Sequence, residues 1–232
     1  MGKQIFKYAG INLVFIVLFS FSTAFAEEFE KSIKKSYDVN KDASLILKNK
    51  FGEIRCETWD KNVISINVQI LVDARNEQKA QRVFDKIDVE ISGSKNLVEV
   101  ITHLESINGS SVEFSINYKV FFPETITLNL VNKFGNTYLS DIYGPSKIKI
   151  SYGDIYVDGL LNENNKLEVA FGDASIDKIR KAYLEFSHSE ISIDDIEIAE
   201  IDSKFSELSI DEIGELDLVT QHDDIEIDRL DL

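Results

Sequence analysis

A nine-residue pattern of apolar and polar positions recurs seven times along the chain. Each copy opens with an aromatic residue or histidine, continues with two turn-forming residues, and then alternates apolar and polar side chains. The copies occupy 51–59, 134–142, 152–160, 171–179, 188–196, 205–213 and 222–230. From the second copy onward, their starts are spaced by 18, 19, 17, 17 and 17 residues. A short, nearly constant period predicts a solenoid in which each repeat is one coil.

Two short strands are predicted in each coil. Ile155 and Val157 alternate with polar residues after the turn, and Ile148 and Ile150 alternate toward the aromatic position before it. Stacked coils place equivalent strands about 4.8 Å apart in parallel register. Apolar columns then form a core, and acidic columns face water.

The first part of the chain has a different pattern. It predicts an antiparallel β-rich unit that contains the first repeat copy, with strands at 61–73, 89–92, 97–102 and 112–121 and a helix at 76–87 capped by Asn76. The predicted fold is all-β: a parallel β-solenoid of two-strand coils, 17–19 residues each, preceded by this unit and its one short helix. The predicted segments are 1–26, 27–125 and 126–232.

Residues 1–26 have the pattern of a secretory signal. Lys3 and Lys7 precede an apolar stretch at 11–21, and small residues follow at Ala24 and Ala26. The alternative is a membrane anchor, but the stretch is shorter than the ~20 residues of a spanning helix. We therefore expect cleavage after Ala26, no membrane span afterwards, and export to the periplasm, outer surface or extracellular space.

Charge narrows the possible partners. The formal net charge is −16, and residues 187–232 contain sixteen Asp or Glu against Lys204 and Arg229. Because such a field repels phosphate backbones, nucleic acid is not an expected partner, whereas cations or basic partners are compatible. The one cysteine, Cys56, lies in an apolar column and is interpreted as a small buried residue rather than a nucleophile.

Two acidic columns are the candidate metal site. Their carboxylates belong to Asp154, Asp173, Glu190, Glu207 and Asp224 in one column and to Asp158, Asp177, Asp194, Asp211 and Asp228 in the other. Ca²⁺ between coils would relieve the repulsion of carboxylates stacked ~4.8 Å apart. The other interpretation, which we favour, is that they are turn-forming and solubilising residues, so that no cofactor is required.

Aromatic and histidine positions supply further candidates. His188 and His222 are two coils apart, about 10 Å, which is too far to share a metal easily, so they are interpreted as polar substitutes in the aromatic column. Tyr138 and Tyr156 fall in an outward column. They could stack a sugar ring or contact a protein, or they could simply pack across coils.

No catalytic constellation is evident. Asp194 and Asp195 are adjacent in a strand and face opposite sides, and no Ser–His–Asp set, Gly-rich phosphate loop or zinc spacing occurs. The sequence therefore predicts a protein that is not an enzyme. The alternatives are a polysaccharide-acting β-helical enzyme and a calcium-stabilised structural module.

Three segments carry a family resemblance: KNKFGEIRCETWD (48–60), LVNKFGNTYLSDIYG (130–144) and ISYGDIYV (150–157). Over residues 40–230 the chain resembles the bacterial putative-adhesin family, exported β-solenoids of unknown function related to head-domain putative auto-transporter adhesins. The resemblance implies an adhesin-like surface or envelope protein that binds a surface glycan or protein through an extended face. It supplies no catalytic residues, and the chain departs from it at His188, His222 and the acidic C-terminal coils.

The last copy ends at Leu230 with no polar capping segment. Solenoids usually shield their terminal coil, because an open strand edge recruits other chains. The pattern predicts either end-to-end self-association through this coil or a longer protein.

Overall fold

The computed structural model describes residues 27–106 and 112–230, so the predicted signal sequence lies outside the described residues. The described chain forms sixteen strands of one continuous sheet and one helix. In chain order these are β1 Glu27–Asp38, β2 Ser44–Lys50, β3 Ile54–Trp59, β4 Val63–Ala74, α1 Glu77–Phe84, β5 Ile87–Gly93, β6 Leu97–Leu104, β7 Glu113–Pro123, β8 Thr127–Lys133, β9 Thr137–Leu139, β10 Ser146–Ser151, β11 Ile155–Leu160, β12 Asn165–Ala170, β13 Ala174–Ser187, β14 Glu190–Lys204, β15 Glu207–Gln221 and β16 Asp224–Leu230.

The repeats stack in parallel, which confirms the predicted β-solenoid. On one side, β2, β8, β10 and β12 pair in succession and continue onto the second half of β13. On the other side, β3, β9 and β11 continue onto its first half. The core lies between the two sides, and one of its columns is fully excluded from solvent at Leu130, Ile148, Leu167, Leu184 and Ile201.

The last coils differ from the predicted pair of short strands. β13, β14 and β15 run for 14, 15 and 15 residues, so each passes from one side of the solenoid to the other without a break. These coils span 17 residues, whereas the 19-residue coil before them has an irregular segment between β11 and β12. Because the 17-residue coils lack the extra residues of the 19-residue coil, each of their long strands bends at the corner and keeps its pairing with the next strand.

The N-terminal unit contains antiparallel strands, as predicted: β4 pairs with β7 and β5 with β6, and β1, which was not predicted, pairs with β4. The predicted helix is present as α1, but it ends at Phe84 and Ile87 already belongs to β5. The Asn76 side chain caps it by accepting a hydrogen bond from the Lys79 amide at 3.0 Å, and Val83 and Phe84 are buried. The first repeat copy is not itself antiparallel. β2 pairs in parallel with β6 and β8, and β3 with β7 and β9, so this copy is a coil of the solenoid. The boundary at residue 125 stays a prediction.

Two local features complete the fold. Cys56 is buried in a core column beside Leu139, and burial raises the pKa of its thiol. In the described part of the chain, β16 pairs only with β15, and Ile225 and Ile227 are half-buried. Within the same ranges, no helix has the length and apolar character needed to cross a bilayer.

Candidate functional site

A line of stacked rings follows the corner between the two sides of the solenoid, and we call it the aromatic ladder. It consists of Phe114, Phe51, Phe134, Tyr152, Phe171, His188, Phe205 and His222. From Phe51 to His222, neighbouring ring centroids are 4.7–5.2 Å apart, with interplanar angles of 5–28°. Six of the eight rings are exposed: His188, His222 and four aromatic rings whose exposure runs from 43% for Phe134 to 50% for Phe205. The ladder is therefore a ridge of aromatic rings and two histidines on the surface.

The backbone of the ladder is unusual. All seven repeat copies place their first residue at a φ of 55–61°. Bulky residues are rare in this left-handed region, and each such conformation costs on the order of 1–3 kcal/mol. Stacking of aromatic pairs returns about 0.5–1.5 kcal/mol each. The chain keeps this conformation in all seven copies, and the outward stack of rings offsets part of its cost.

The left-handed backbone also explains what sequence reasoning missed. Simple alternation from Ile148 and Ile150 would place Tyr152 inward, but the positive φ turns its ring out to 49% exposure. The signal in the sequence was the pair of histidines in the same column, since core columns rarely accept them. His188 and His222 lie in the ladder on either side of Phe205.

Glycine follows the ladder residue in several coils because the coils touch there. A Cβ added to Gly153 would overlap the carbonyl oxygen of Gly135, and one added to Gly172 would overlap that of Gly153. Later coils carry Ser189 and Ser206 instead, and the Ser206 hydroxyl accepts a hydrogen bond from the Ser189 amide at 3.3 Å.

The two predicted acidic columns lie on the side formed by β3, β9 and β11 and the strands that continue it. One column contains Asp154, Asp173, Glu190, Glu207 and Asp224, and the other contains Asp158, Asp177, Asp194, Asp211 and Asp228. Apart from half-buried Asp154, all of them are exposed. Among the described residues, none of the ten carboxylates forms an ion pair.

Two carboxylates of the first column accept hydrogen bonds from the backbone instead. The Asp154 carboxylate accepts a hydrogen bond from the Asp173 amide at 3.1 Å, and the Asp173 carboxylate accepts one from the Glu190 amide at 3.3 Å. These side chains therefore tie one turn to the next. In the second column, partial burial and the neighbouring charges of Asp177 and Asp141 raise the pKa of Asp158. Within residues 27–106 and 112–230, no three His, Cys, Asp or Glu side chains are grouped to hold a metal ion.

Between the acidic columns runs the outward column of Tyr138 and Tyr156. Their rings are stacked at 5.0 Å with an interplanar angle of 8°, and Tyr156 is 43% exposed. Arg55 of the preceding coil lies over the other face of Tyr138, its Cζ 4.0 Å from the ring centroid. Sequence analysis predicted the tyrosine column but missed Arg55.

The opposite side carries both signs of charge. Glu168 pairs with Lys149 and, at 3.0 Å, with Lys166, which also pairs with Glu185 at 3.0 Å. Burial alone would raise the pKa of Glu168, but hydrogen bonds from Lys149 and Lys166 outweigh it and lower the pKa to about 2. Lysines therefore neutralise Glu168 and Glu185 on this side.

Two surface grooves flank these features. One of about 260 Å³ has the small residues Ser151, Ala170 and Ser187 along its floor, next to the aromatic ladder. The other, of about 480 Å³, lies at the far corner, where Lys181 and Glu215 are among its lining residues. Both run across consecutive coils.

Comparison with known proteins finds distantly similar solved structures. No family model and no curated protein matches the chain. Solved structures with a similar fold include a putative cell adhesion protein from Clostridium sporogenes, with 10% identity over 85% of this chain and 99% of that one and a TM-score of 0.43. A putative lipid binding protein from Parabacteroides distasonis has 13% identity, coverage of 86% and 96%, and a TM-score of 0.39. A putative adhesin from Parabacteroides merdae has 10% identity, coverage of 85% and 96%, and a TM-score of 0.34. Likeness at this level does not extend to function.

Proposed function

We propose that the protein is a non-enzymatic, exported surface or envelope protein that binds a partner through an extended face of its solenoid, in the manner of an adhesin. The observation that carries the proposal is the exposed aromatic ladder. A contiguous row of exposed aromatic rings on a folded protein is a candidate interaction site. Its rings lie outward along one corner of the solenoid, stacked on one another, where a partner can reach them.

The geometry of the ladder favours a long partner. Because each ring is stacked between its neighbours, a ligand meets ring edges rather than ring faces. The same contact repeats every ~4.8 Å along the axis. A surface polysaccharide or an elongated protein would engage many coils at once, and weak contacts would add up to useful avidity.

The experiment is a binding screen of the exported chain against a glycan array and a panel of surface and matrix proteins. A triple variant, Phe134→Asn, Tyr152→Asn and Phe171→Asn, removes three rings while asparagine tolerates the left-handed backbone. We expect it to lose at least about tenfold in affinity. Tyr143→Asn is the control, because Tyr143 is 45% exposed and lies outside the ladder.

Two results would contradict this proposal. If the triple variant folds, by circular dichroism, and binds every ligand as tightly as the native chain, the ladder is not the binding face. If incubation with the bound glycans releases new reducing ends, the alternative of a polysaccharide-acting enzyme is correct instead.

A further inference from the structure

Tyr156 presents one open ring face to solvent on the side that carries the acidic columns. The register places Arg55, Tyr138, Tyr156 and Ser175 in one outward column, in that order. Tyr138 covers one face of the Tyr156 ring in a nearly parallel stack. The second face is directed along the axis toward Ser175, whose short side chain cannot cover it. Serine continues the column at Ser192 and Ser209.

The same column shows what such a face binds. At its other end, the Arg55 guanidinium lies 4.0 Å over the Tyr138 ring, and its Nη2 donates to Glu53 at 3.1 Å. A guanidinium held by an aromatic face and a carboxylate is a favourable cation–π arrangement. The two-ring stack is therefore covered by a cation at one end and uncovered at the other.

Carboxylates flank the uncovered end and have no cation of their own. Asp173 lies in the column on one side of Ser175 and Asp177 in the column on the other, both exposed. Neither forms an ion pair within the described residues. The repulsion continues in the next coils, where Glu190 and Asp194 flank Ser192 in the same way. On the other side of the solenoid, lysines lie beside acids over β10 and β12, where Glu168 pairs with Lys149 and Lys166.

We propose that this face is a docking surface for an extended basic segment of a partner polypeptide, with an arginine guanidinium stacked on the open face of Tyr156 and further basic side chains along the serine column between the two rows of carboxylates. Charge complementarity and the internal Arg55 arrangement both support an arginine-containing occupant. The surface is separate from the aromatic ladder, so the inference goes beyond the proposed function and does not depend on it.

The experiment measures fluorescence anisotropy with a labelled peptide of four Arg-Gly-Ser units and a matched peptide of four Lys-Gly-Ser units, at low salt. Tyr156→Ser introduces the residue that the next three coils have at this position, so folding is expected to be kept. The native protein should bind the arginine peptide more tightly than the lysine peptide. Tyr156→Ser should weaken binding of the arginine peptide by roughly 3- to 30-fold and reduce the difference in affinity between the two peptides.

Tyr143→Ser is the matched control and should bind as the native protein does. The double variant Asp173→Asn, Asp177→Asn should weaken the binding of both peptides and make that binding less dependent on salt concentration. The proposal is overturned if the arginine peptide does not bind, if Tyr156→Ser binds it unchanged, or if the native protein does not distinguish the two peptides. Phe171→Asn should leave peptide binding unchanged, so a failure here is distinguishable from a failure of the ladder proposal.

Discussion

Phe171 shows how a single residue balances strain against stacking. Its φ is 58°, and its ring lies between Tyr152 at 5.0 Å and His188 at 4.7 Å. Phe171→Asn and Phe171→Val both remove the stack, but valine is β-branched and is strained in the left-handed region. We expect the valine variant to be about 1–2 kcal/mol less stable than the asparagine variant.

Thermal unfolding followed by circular dichroism checks this difference. For a chain of this length, 1–2 kcal/mol corresponds to a gap in Tm of roughly 2–8 °C. Equal Tm values for the two variants would mean that the backbone at this position relaxes to an ordinary conformation.

Gly153 tests the close approach of neighbouring coils. An added Cβ would overlap backbone atoms of Gly135, which cannot move without displacing the whole coil. Gly153→Ala should therefore destabilise the fold by about 1–3 kcal/mol. Gly159→Ala is the control, because its nearest neighbour is the carboxylate of exposed Asp141, which can rotate away. Chemical denaturation should show a lower midpoint for Gly153→Ala, and the reverse order would contradict the steric argument.

At the scale of the strand, Glu168 of β12 couples stability to pH. Its pKa falls from an ordinary 4.5 to about 2, because hydrogen bonds from Lys149 and Lys166 outweigh the effect of burial. Because the pKa of Glu168 is lower in the folded state than in the unfolded state, its ionised carboxylate contributes its full stabilisation above the unfolded-state pKa. That stabilisation is lost as pH falls toward 2. Glu168→Gln should cost about 1–2 kcal/mol at pH 7 and much less near pH 2.

Urea midpoints of the native chain and the variant, measured across this pH range, check that prediction. Glu163→Gln is the control: Glu163 pairs with Arg180 at 3.0 Å, but its side chain is 66% exposed, so it should cost less than about 0.5 kcal/mol. A Glu168→Gln penalty that stays constant from pH 7 to pH 2 would show that ionisation is not its cause.

The elements themselves could be predicted from local pattern. Period-2 alternation located β4 and β7, and Asn76 with one apolar face located α1, because these signals are written in consecutive residues. The parallel pairing of β2 and β3 could not be predicted, since their partners lie far along the chain. The continuous β13 was missed because a bend that keeps its pairing leaves no turn residue in the sequence.

At the scale of the whole molecule, the repeat predicted the solenoid and the lines in which equivalent side chains stack. The repeat did not predict which of these columns are exposed at positions where the backbone departs from a regular strand. The left-handed φ at Tyr152 and its equivalents is a property of the stacked turns, and the Arg55 guanidinium contacts Tyr138 of the neighbouring coil. The exposure of the aromatic ladder and the Arg55 contact therefore became visible only in three dimensions, whereas the tyrosine column and the acidic columns beside it were predicted from the sequence.

The charge of the whole molecule supplies the last prediction. A formal net charge of −16 and unpaired carboxylate columns disfavour the compact state through repulsion, so added salt should raise Tm. We expect about 5 mM CaCl₂ to raise Tm no more than NaCl of equal ionic strength. Calcium needs about six to eight oxygen ligands, whereas carboxylates such as those of Asp154 and Asp173 already accept backbone amides.

Differential scanning calorimetry at matched ionic strength distinguishes screening from specific binding. An additional calcium-dependent rise of several degrees would establish the calcium-stabilised module in place of a solvated acidic face. Asp158→Asn and Asp177→Asn would then locate the ion, because they remove carboxylates of the second column. If screening alone operates, the same substitutions should raise Tm without calcium, since burial and neighbouring charge already raise the pKa of Asp158. A raised carboxyl pKa marks a group whose ionisation costs stability as pH rises through that pKa, and its neutral replacement removes the cost.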